Sequence, residues 1–141
     1  VYDVAYPYDG QTGYLCGGAG LTSTAGDYAR FLQMLLNGGE LDGQRLLGRK
    51  TVQLMTSNQV SHLDESAFGA AGFTLGFRLD HGPGSGQIQS ANSLGWGGFW
   101  NTDFWFDPQE DLAGILMTQH YPYGHRLMDT YKVAIYQALL N

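Results

Sequence analysis

Apolar and polar residues alternate with a helical period in three stretches of the chain. In "TSTAGDYARFLQMLLNGG", Tyr28, Phe31, Leu32, Leu35 and Leu36 fall on one face. Thr24 followed three residues later by Asp27 has the form of a capping box, with Asp in place of Glu or Gln. Asn37-Gly38-Gly39 is a stop signal, because glycine takes the left-handed conformation past a helix end. A second, shorter helix is expected in "GRKTVQLMTSN", after "LDGQRLL", which reads as a turn. In "HRLMDTYKVAIYQALLN", Leu127, Met128, Tyr131, Ala134, Ile135, Ala138 and Leu139 share a face and predict an amphipathic helix.

Between the helices the period changes to two. "GFTLGFRLD" reads as one strand, and "HGPGSGQ" as the connection that returns the chain to a strand at Leu94. "TDFWFDPQEDLAGILMTQ" divides into two strand-like runs around Asp107-Pro108, an antiparallel hairpin. Residues 57–70 read as loop, and residues 1–22, rich in Tyr and Gly, as loop with at most a short strand. Helix, short helix, three or four antiparallel strands and a final helix make an α+β protein, an antiparallel sheet with helices packed on it. No repeat, low-complexity tract or linker interrupts residues 1–141, which read as a single domain or a fragment of one.

One stretch does not fit a plain strand. "SLGWGGFWNTDFWF" sets Gly97 and Gly98 between aromatic side chains. Glycine weakens a strand and gives it nothing to pack, so the pair marks either a bulge in ordinary core sheet or a close approach of another molecule to the backbone.

Composition narrows the class. Hydrophobic residues make up 43% and charged residues only 14%, which favours a folded chain with a large interior. The net charge of −6 disfavours nucleic acid or an anionic membrane surface as partner, since both need a basic patch. No run of about 18 apolar residues and no basic-then-apolar leader occurs, so neither a membrane span nor a signal peptide is expected. The single cysteine, Cys16, excludes an internal disulfide and leaves the compartment, cytoplasmic or periplasmic, undecided. The chain opens on Val1 rather than Met, which suggests a processed product or a piece of something longer.

No complete catalytic constellation is visible in the residues. His62, His81, His120 and His125 lack metal-ligand spacing and read as surface or supporting histidines, so no metal is expected. Cys16, between Leu15 and Gly17-Gly18, reads as a small buried thiol. Asp107, Glu110 and Asp111 cluster at a hairpin tip, where turn chemistry and solvation account for them. "GAGL" and "GPGSG" complete no phosphate-binding pattern, so no nucleotide cofactor is implied. No serine stands in a G-x-S-x-G elbow, and neither Lys50 nor Lys132 has a serine three positions before it. No Tyr is followed two positions on by Asn or Ser. The nucleophile and its base are not in this chain.

Three segments in order nevertheless resemble the β-lactamase-like serine hydrolases, the superfamily of class C β-lactamases, DD-peptidases and family VIII carboxylesterases. They are "GGAGLTSTAGDYARFLQMLLNGGELDGQRLLGRKTVQLMTSNQ", "AGFTLGFRL" and "LGWGGFWNTDFWFDPQEDLAGILMTQ". The resemblance covers residues 17–141 and matches only the C-terminal part of that fold; the S-x-x-K and Y-x-N or Y-x-S motifs lie earlier in a complete member. It implies that Trp96-Gly97-Gly98 stands where many β-lactamases carry K-T-G and some esterases W-G-G, on a strand lining the cleft. Trp96, Gly97, Gly98 and Phe99 would then bind substrate, and the backbone N–H of Phe99 would be one of two oxyanion-hole donors. Such a donor must come within about 2.7–3.1 Å of the oxyanion, and glycine keeps side chains out of its way. Trp96 replaces a cation by an apolar face with one N–H, which favours neutral esters or amides over anionic β-lactams.

Two readings follow. The first is the C-terminal portion of a serine hydrolase acting through an acyl-enzyme, without cofactor, whose open sheet edge meets the remaining N-terminal portion or a second copy. The second is a non-catalytic module that binds a glycan or cell-wall peptide through exposed aromatics.

Overall fold

In the computed structural model, which describes residues 18, 21–64, 71–122 and 124–140, Thr24 starts the first helix as its spacing predicts. The Thr24 hydroxyl accepts the Asp27 amide at 3.1 Å and donates to the Asp27 carboxylate at 2.8 Å, closing the cap over α1 (Ala25–Leu36). Gly38 and Gly39 both take positive φ beyond its end. Helix α2 spans Arg49–Thr56. Cys16 and most of the expected loop at 1–22 lie outside the described residues, as does part of the 57–70 loop.

The buried face of α1 differs from the expected one. Leu32, Met34 and Leu35 are buried, Tyr28 and Leu36 flank them, and Phe31 sits at the exposed margin. "LDGQRLL" holds a small hairpin, β1 (Glu40–Leu41) and β2 (Gln44–Arg45), with Asp42 and Gly43 both at positive φ in its two-residue turn. "GFTLGFRLD" is likewise two strands, β3 (Gly72–Phe73) and β4 (Arg78–Leu79), rather than one. Buried Thr74 turns the chain back, its hydroxyl accepting the Phe77 amide at 2.9 Å while its own amide donates to the Phe77 carbonyl at 2.8 Å. A hydroxyl able to hold a turn looks like an ordinary strand residue in a period-two pattern.

Strands β5 (Leu94–Gly97), β6 (Asp103–Asp107) and β7 (Leu112–Leu116) complete a five-stranded antiparallel sheet of order β3-β4-β5-β6-β7. The connection from β4 to β5 carries a 3₁₀ turn at Pro83–Ser85, and the β6–β7 hairpin turns at Asp107-Pro108 as expected. Beside β3, Gln59 donates its amide to the Phe73 carbonyl at 2.8 Å. Beside β7 no further strand lies among the described residues.

The two sheet faces differ in kind. Phe77, Leu79, Leu94 and Phe106 meet Leu32, Leu35 and Val52 in one apolar core. The other face carries Asp103, Trp105 and Asp107, alternating along β6, under α3 (His125–Tyr136). Here Met128 and Lys132 are buried and Tyr131 donates to the Ile115 carbonyl at 3.0 Å, whereas Leu127, Ala134, Ala138 and Leu139, expected on the inner face, are exposed. The helix is rotated because its contacts are polar: Lys132 pairs with Asp103 at 3.5 Å and lies over the Trp105 ring. Gly114 makes room for that ring, since any Cβ at 114 would run into the indole.

Asp107 corrects a further expectation. It takes part in the turn, with Gln109 donating to it at 3.0 Å, but it is fully buried rather than solvated; Glu110 and Asp111 are exposed. Ser90 donates its amide to Asp107 at 2.9 Å and Tyr136 its hydroxyl at 2.8 Å, so one carboxylate ties the β6–β7 turn, the 80–93 connection and α3 together. Burial works against its ionisation, but the hydrogen bonds from Ser90, Tyr136 and Gln109 outweigh it and hold the carboxyl below its ordinary value. A carboxylate with a lowered folded pKa lends stability above its unfolded pKa and loses it as pH falls through the folded one. Asp107→Ala in the complete protein is expected to lower stability by about 2–3 kcal/mol, by leaving the part-buried Ser90 and Tyr136 donors unpaired. Urea unfolding followed across pH should show this loss at neutrality shrinking below about pH 4.

Candidate functional site

The paired glycines end a strand rather than bulge within one. Trp96 pairs with Phe104 and Gly97 with Asp103, and the last rung is the Gly98 amide on the Thr102 carbonyl at 2.7 Å. The Asn101 amide then reaches the Gly98 carbonyl at 3.2 Å, making Phe99 and Trp100 the central residues of a turn. Asn101 takes φ 58°, the left-handed residue that completes a three-residue hairpin loop. A Cβ at Gly98 would collide with the Thr102 hydroxyl oxygen, so a larger residue there would have to displace that hydroxyl.

A buried carboxamide fixes this loop from beneath. Asn101, 1% exposed, donates through Nδ2 to the carbonyls of His120 and Pro122 at 3.0 and 3.1 Å, and its Oδ1 accepts the Gly124 amide at 2.8 Å. The Thr118 hydroxyl lies 2.7 and 2.9 Å from the Trp100 and Asn101 carbonyls, and His120 donates its amide to Trp100 at 3.1 Å. The β5–β6 turn and the chain after β7 are thereby one rigid unit. Sequence reasoning passed over Asn101 and Thr118; an Asn directly after an aromatic run was the available signal.

A hollow of about 120 Å³ opens beside the turn. Trp96, Gly97 and Gly98 line it, with Tyr28 of α1, Phe104 of β6 and Met117 beyond β7. Phe99 is not part of its lining; it stands one residue on, at the first corner of the turn. No Lys or Arg lines the hollow. Burial pushes the Tyr28 hydroxyl up from its ordinary pKa, so it is a neutral group there. Trp96, 47% exposed, packs edge-on against Phe73 with centroids 5.0 Å apart, so it belongs to the rim and not to core sheet.

Asp103 also lines the hollow, whereas Lys132 and Arg78 lie outside its lining. Desolvation raises the Asp103 carboxyl, and Lys132 and Arg78 oppose that rise. At 3.5 Å the Lys132 contact is too long for a strong charge-assisted bond, and Asp103 Oδ2 has no hydrogen-bond partner among the described residues. His62, His81 and His120 are exposed, and the described residues contain no cluster of three or more His, Cys, Asp or Glu able to hold a metal. No described helix is long and apolar enough to cross a membrane.

This order of helices and strands defines the class of protein. The sequence model of the family described as Beta-lactamase matches residues 1–138, and the chain belongs to that family, within the serine hydrolase superfamily. Among its relatives, Protein Rv1367c of Mycobacterium tuberculosis (strain ATCC 25618 / H37Rv) is 34% identical over 116 residues, 74% of this chain and 29% of that protein. A protein of Escherichia coli O157:H7 named "Putative D-alanyl-D-alanine carboxypeptidase" is 31% identical over 110 residues, 75% of this chain and 24% of its own. The structure of Simvastatin Synthase (LovD) from Aspergillus terreus, unliganded, superposes with TM-score 0.73 at 25% identity, over 91% of this chain and 37% of that one. The chain thus spans less than a third of the length of the curated relatives it matches.

Asn101→Ala in the complete protein is expected to unpair three backbone groups of His120, Pro122 and Gly124 and loosen the turn. Stability should fall by about 2–3 kcal/mol, with faster amide hydrogen exchange at residues 98–102 and 120–124 ahead of the rest of the sheet.

Proposed function

We propose that the complete protein is a serine hydrolase of neutral carboxylic esters or amides. Its serine attacks the substrate carbonyl, the alcohol or amine leaves with a proton, and water then releases the acid from the acyl-enzyme. The serine and its activating lysine and tyrosine come from the portion of the protein outside this chain. Residues 96–99 supply one wall of the cleft. The Phe99 backbone N–H is one oxyanion donor and the serine's own N–H the other; losing one such donor typically costs about 3–4 kcal/mol of barrier. No metal or organic cofactor enters this chemistry.

The observation that carries this reading is the hollow bounded by Trp96, Gly97 and Gly98, whose lining offers no cation to a substrate carboxylate and includes the acidic side chain of Asp103. A lysine in place of Trp96 would offer a cation to a substrate carboxylate, whereas the indole offers area and one donor. Preference for an uncharged substrate follows, with lactam hydrolysis incidental. Fixing the turn through Asn101 keeps the donor in place before substrate arrives, which is how preorganised dipoles lower a barrier without reorganisation.

The same reading gives the β7 edge a partner. Strand Leu112–Leu116 is the last of the sheet among the described residues, and the remaining portion of the protein, or failing that a second copy, supplies a strand beside it.

The complete enzyme is expected to hydrolyse p-nitrophenyl acetate with a larger kcat/KM than an anionic cephalosporin. Clear preference for the anion would overturn the substrate assignment. Gly97→Val should lower kcat/KM for the ester by about 100-fold or more by crowding the oxyanion side. The isolated 141-residue chain should show no ester turnover and should run larger than a monomer by light scattering. Retained binding of a cell-wall peptide by a complete protein without hydrolysis would favour the non-catalytic reading instead.

A further inference from the structure

Three aromatic rings remain at the surface beside the turn. Phe99 and Trp100 are each 41% exposed and Tyr121 is 62% exposed. They face one another: Phe99 stacks on Tyr121 with centroids 5.1 Å apart and planes 23° apart, and Trp100 meets Phe99 edge-on at 5.0 Å. Phe99 and Trp100 come from the β5–β6 loop and Tyr121 from the chain after β7, the two segments that Asn101 joins through its hydrogen bonds to the carbonyls of His120 and Pro122. Thr118 and the His120 amide hold the Trp100 carbonyl from the same side. The rings are therefore aligned by main-chain bonds beneath them, which belong to this chain alone. A surface ordered in this way loses little conformational freedom when something settles on it.

We propose that Phe99, Trp100 and Tyr121 form a subsite for the hydrocarbon arm of the ester, a selectivity platform next to the reacting carbonyl. This rests on the hydrolase reading of the site. Phe99 contributes twice, by its ring to the platform and by its amide to the carbonyl oxygen, so an arm bonded to that carbonyl carbon lies against the rings. The chemistry recognised is an uncharged, extended or aromatic hydrocarbon group. The platform offers flat apolar area, the adjoining hollow has no Lys or Arg in its lining, and exposed Met117 continues the apolar surface along the hollow's edge. Such a group can sit on either side of the ester, as acyl chain or as alcohol.

Two substrate series separate these sources in the complete enzyme: p-nitrophenyl octanoate against acetate for the acyl arm, and octyl acetate against ethyl acetate for the alcohol arm. The wild type is expected to favour the long member of one series in kcat/KM. Trp100→Ala and, independently, Tyr121→Ala should cut that long-to-short ratio by about tenfold, the order expected from lost apolar burial. The series that responds identifies the arm. Ester hydrolysis with no preference for long arms in either series, or with ratios unchanged in both variants, overturns the platform and leaves the hydrolase reading standing; the rings then serve as packing surface for the rest of the protein. Absence of any ester hydrolysis by the wild type overturns the hydrolase reading and the platform with it.

Discussion

The Asn101 side chain holds two stretches of backbone that no strand pairing connects. Its amide and carbonyl groups meet two carbonyls and one N–H of residues 120–124, while its own backbone turns through positive φ to close the β5–β6 loop. A buried polar group of this kind is costly when unpaired and specific when satisfied, because few other arrangements satisfy all of its bonds at once. The geometry around Gly98, Phe99 and Trp100 descends from that constraint. So does the position of Tyr121, and with it the relation between the aromatic surface and the hollow.

The sheet beneath is organised by the same logic. Its α1 face is apolar and close-packed, and it sets the position of Tyr28 at one side of the hollow. Its α3 face is held by groups that must find partners: Lys132 with Asp103, Tyr131 with the Ile115 carbonyl, Tyr136 with Asp107. Asp103 lies opposite Gly97 in the ladder, so the ion pair that seats α3 also sits directly behind the strand carrying the glycines. A mobile site wall would lose the preorganisation that oxyanion binding needs. On the proposed reading, the wall is backed by a polar face on one side and a clamped turn on the other.

Much of this architecture was legible in the residue pattern. The Thr24–Asp27 cap, the Gly38-Gly39 stop and the Asp107-Pro108 hairpin follow from local chemistry that tertiary contacts leave alone. The split of "GFTLGFRLD" was hidden, because Thr74 is both a good strand residue and a hydroxyl that can close a turn. The inner face of α3 was misplaced for a different reason: a periodicity argument counts apolar residues, and this helix buries Lys132 while leaving Leu127 and Leu139 outside. The clue lay in two charges in apolar settings, Lys132 within an apolar helix face and Asp103 within an aromatic strand that has no Lys or Arg nearby in sequence. At the site, Trp96, Gly97 and Gly98 do line one hollow, and Gly98 also sits against the Thr102 hydroxyl in its own turn. The bonds of Asn101 and Thr118 join residues about twenty positions apart, which an Asn after an aromatic run signals only as a turn.

The central proposal is that the Phe99 main-chain N–H meets the charge that gathers on a substrate carbonyl oxygen. The most direct measurement is a crystal structure of the complete protein inactivated by an uncharged alkyl phosphonate ester, whose phosphonyl oxygen marks where that charge develops. The account predicts this oxygen within about 2.7–3.1 Å of the Phe99 nitrogen, with the turn at 98–101 unmoved. A phosphonyl oxygen directed away from the turn, held by donors on other elements and out of hydrogen-bond reach of Phe99, would contradict it.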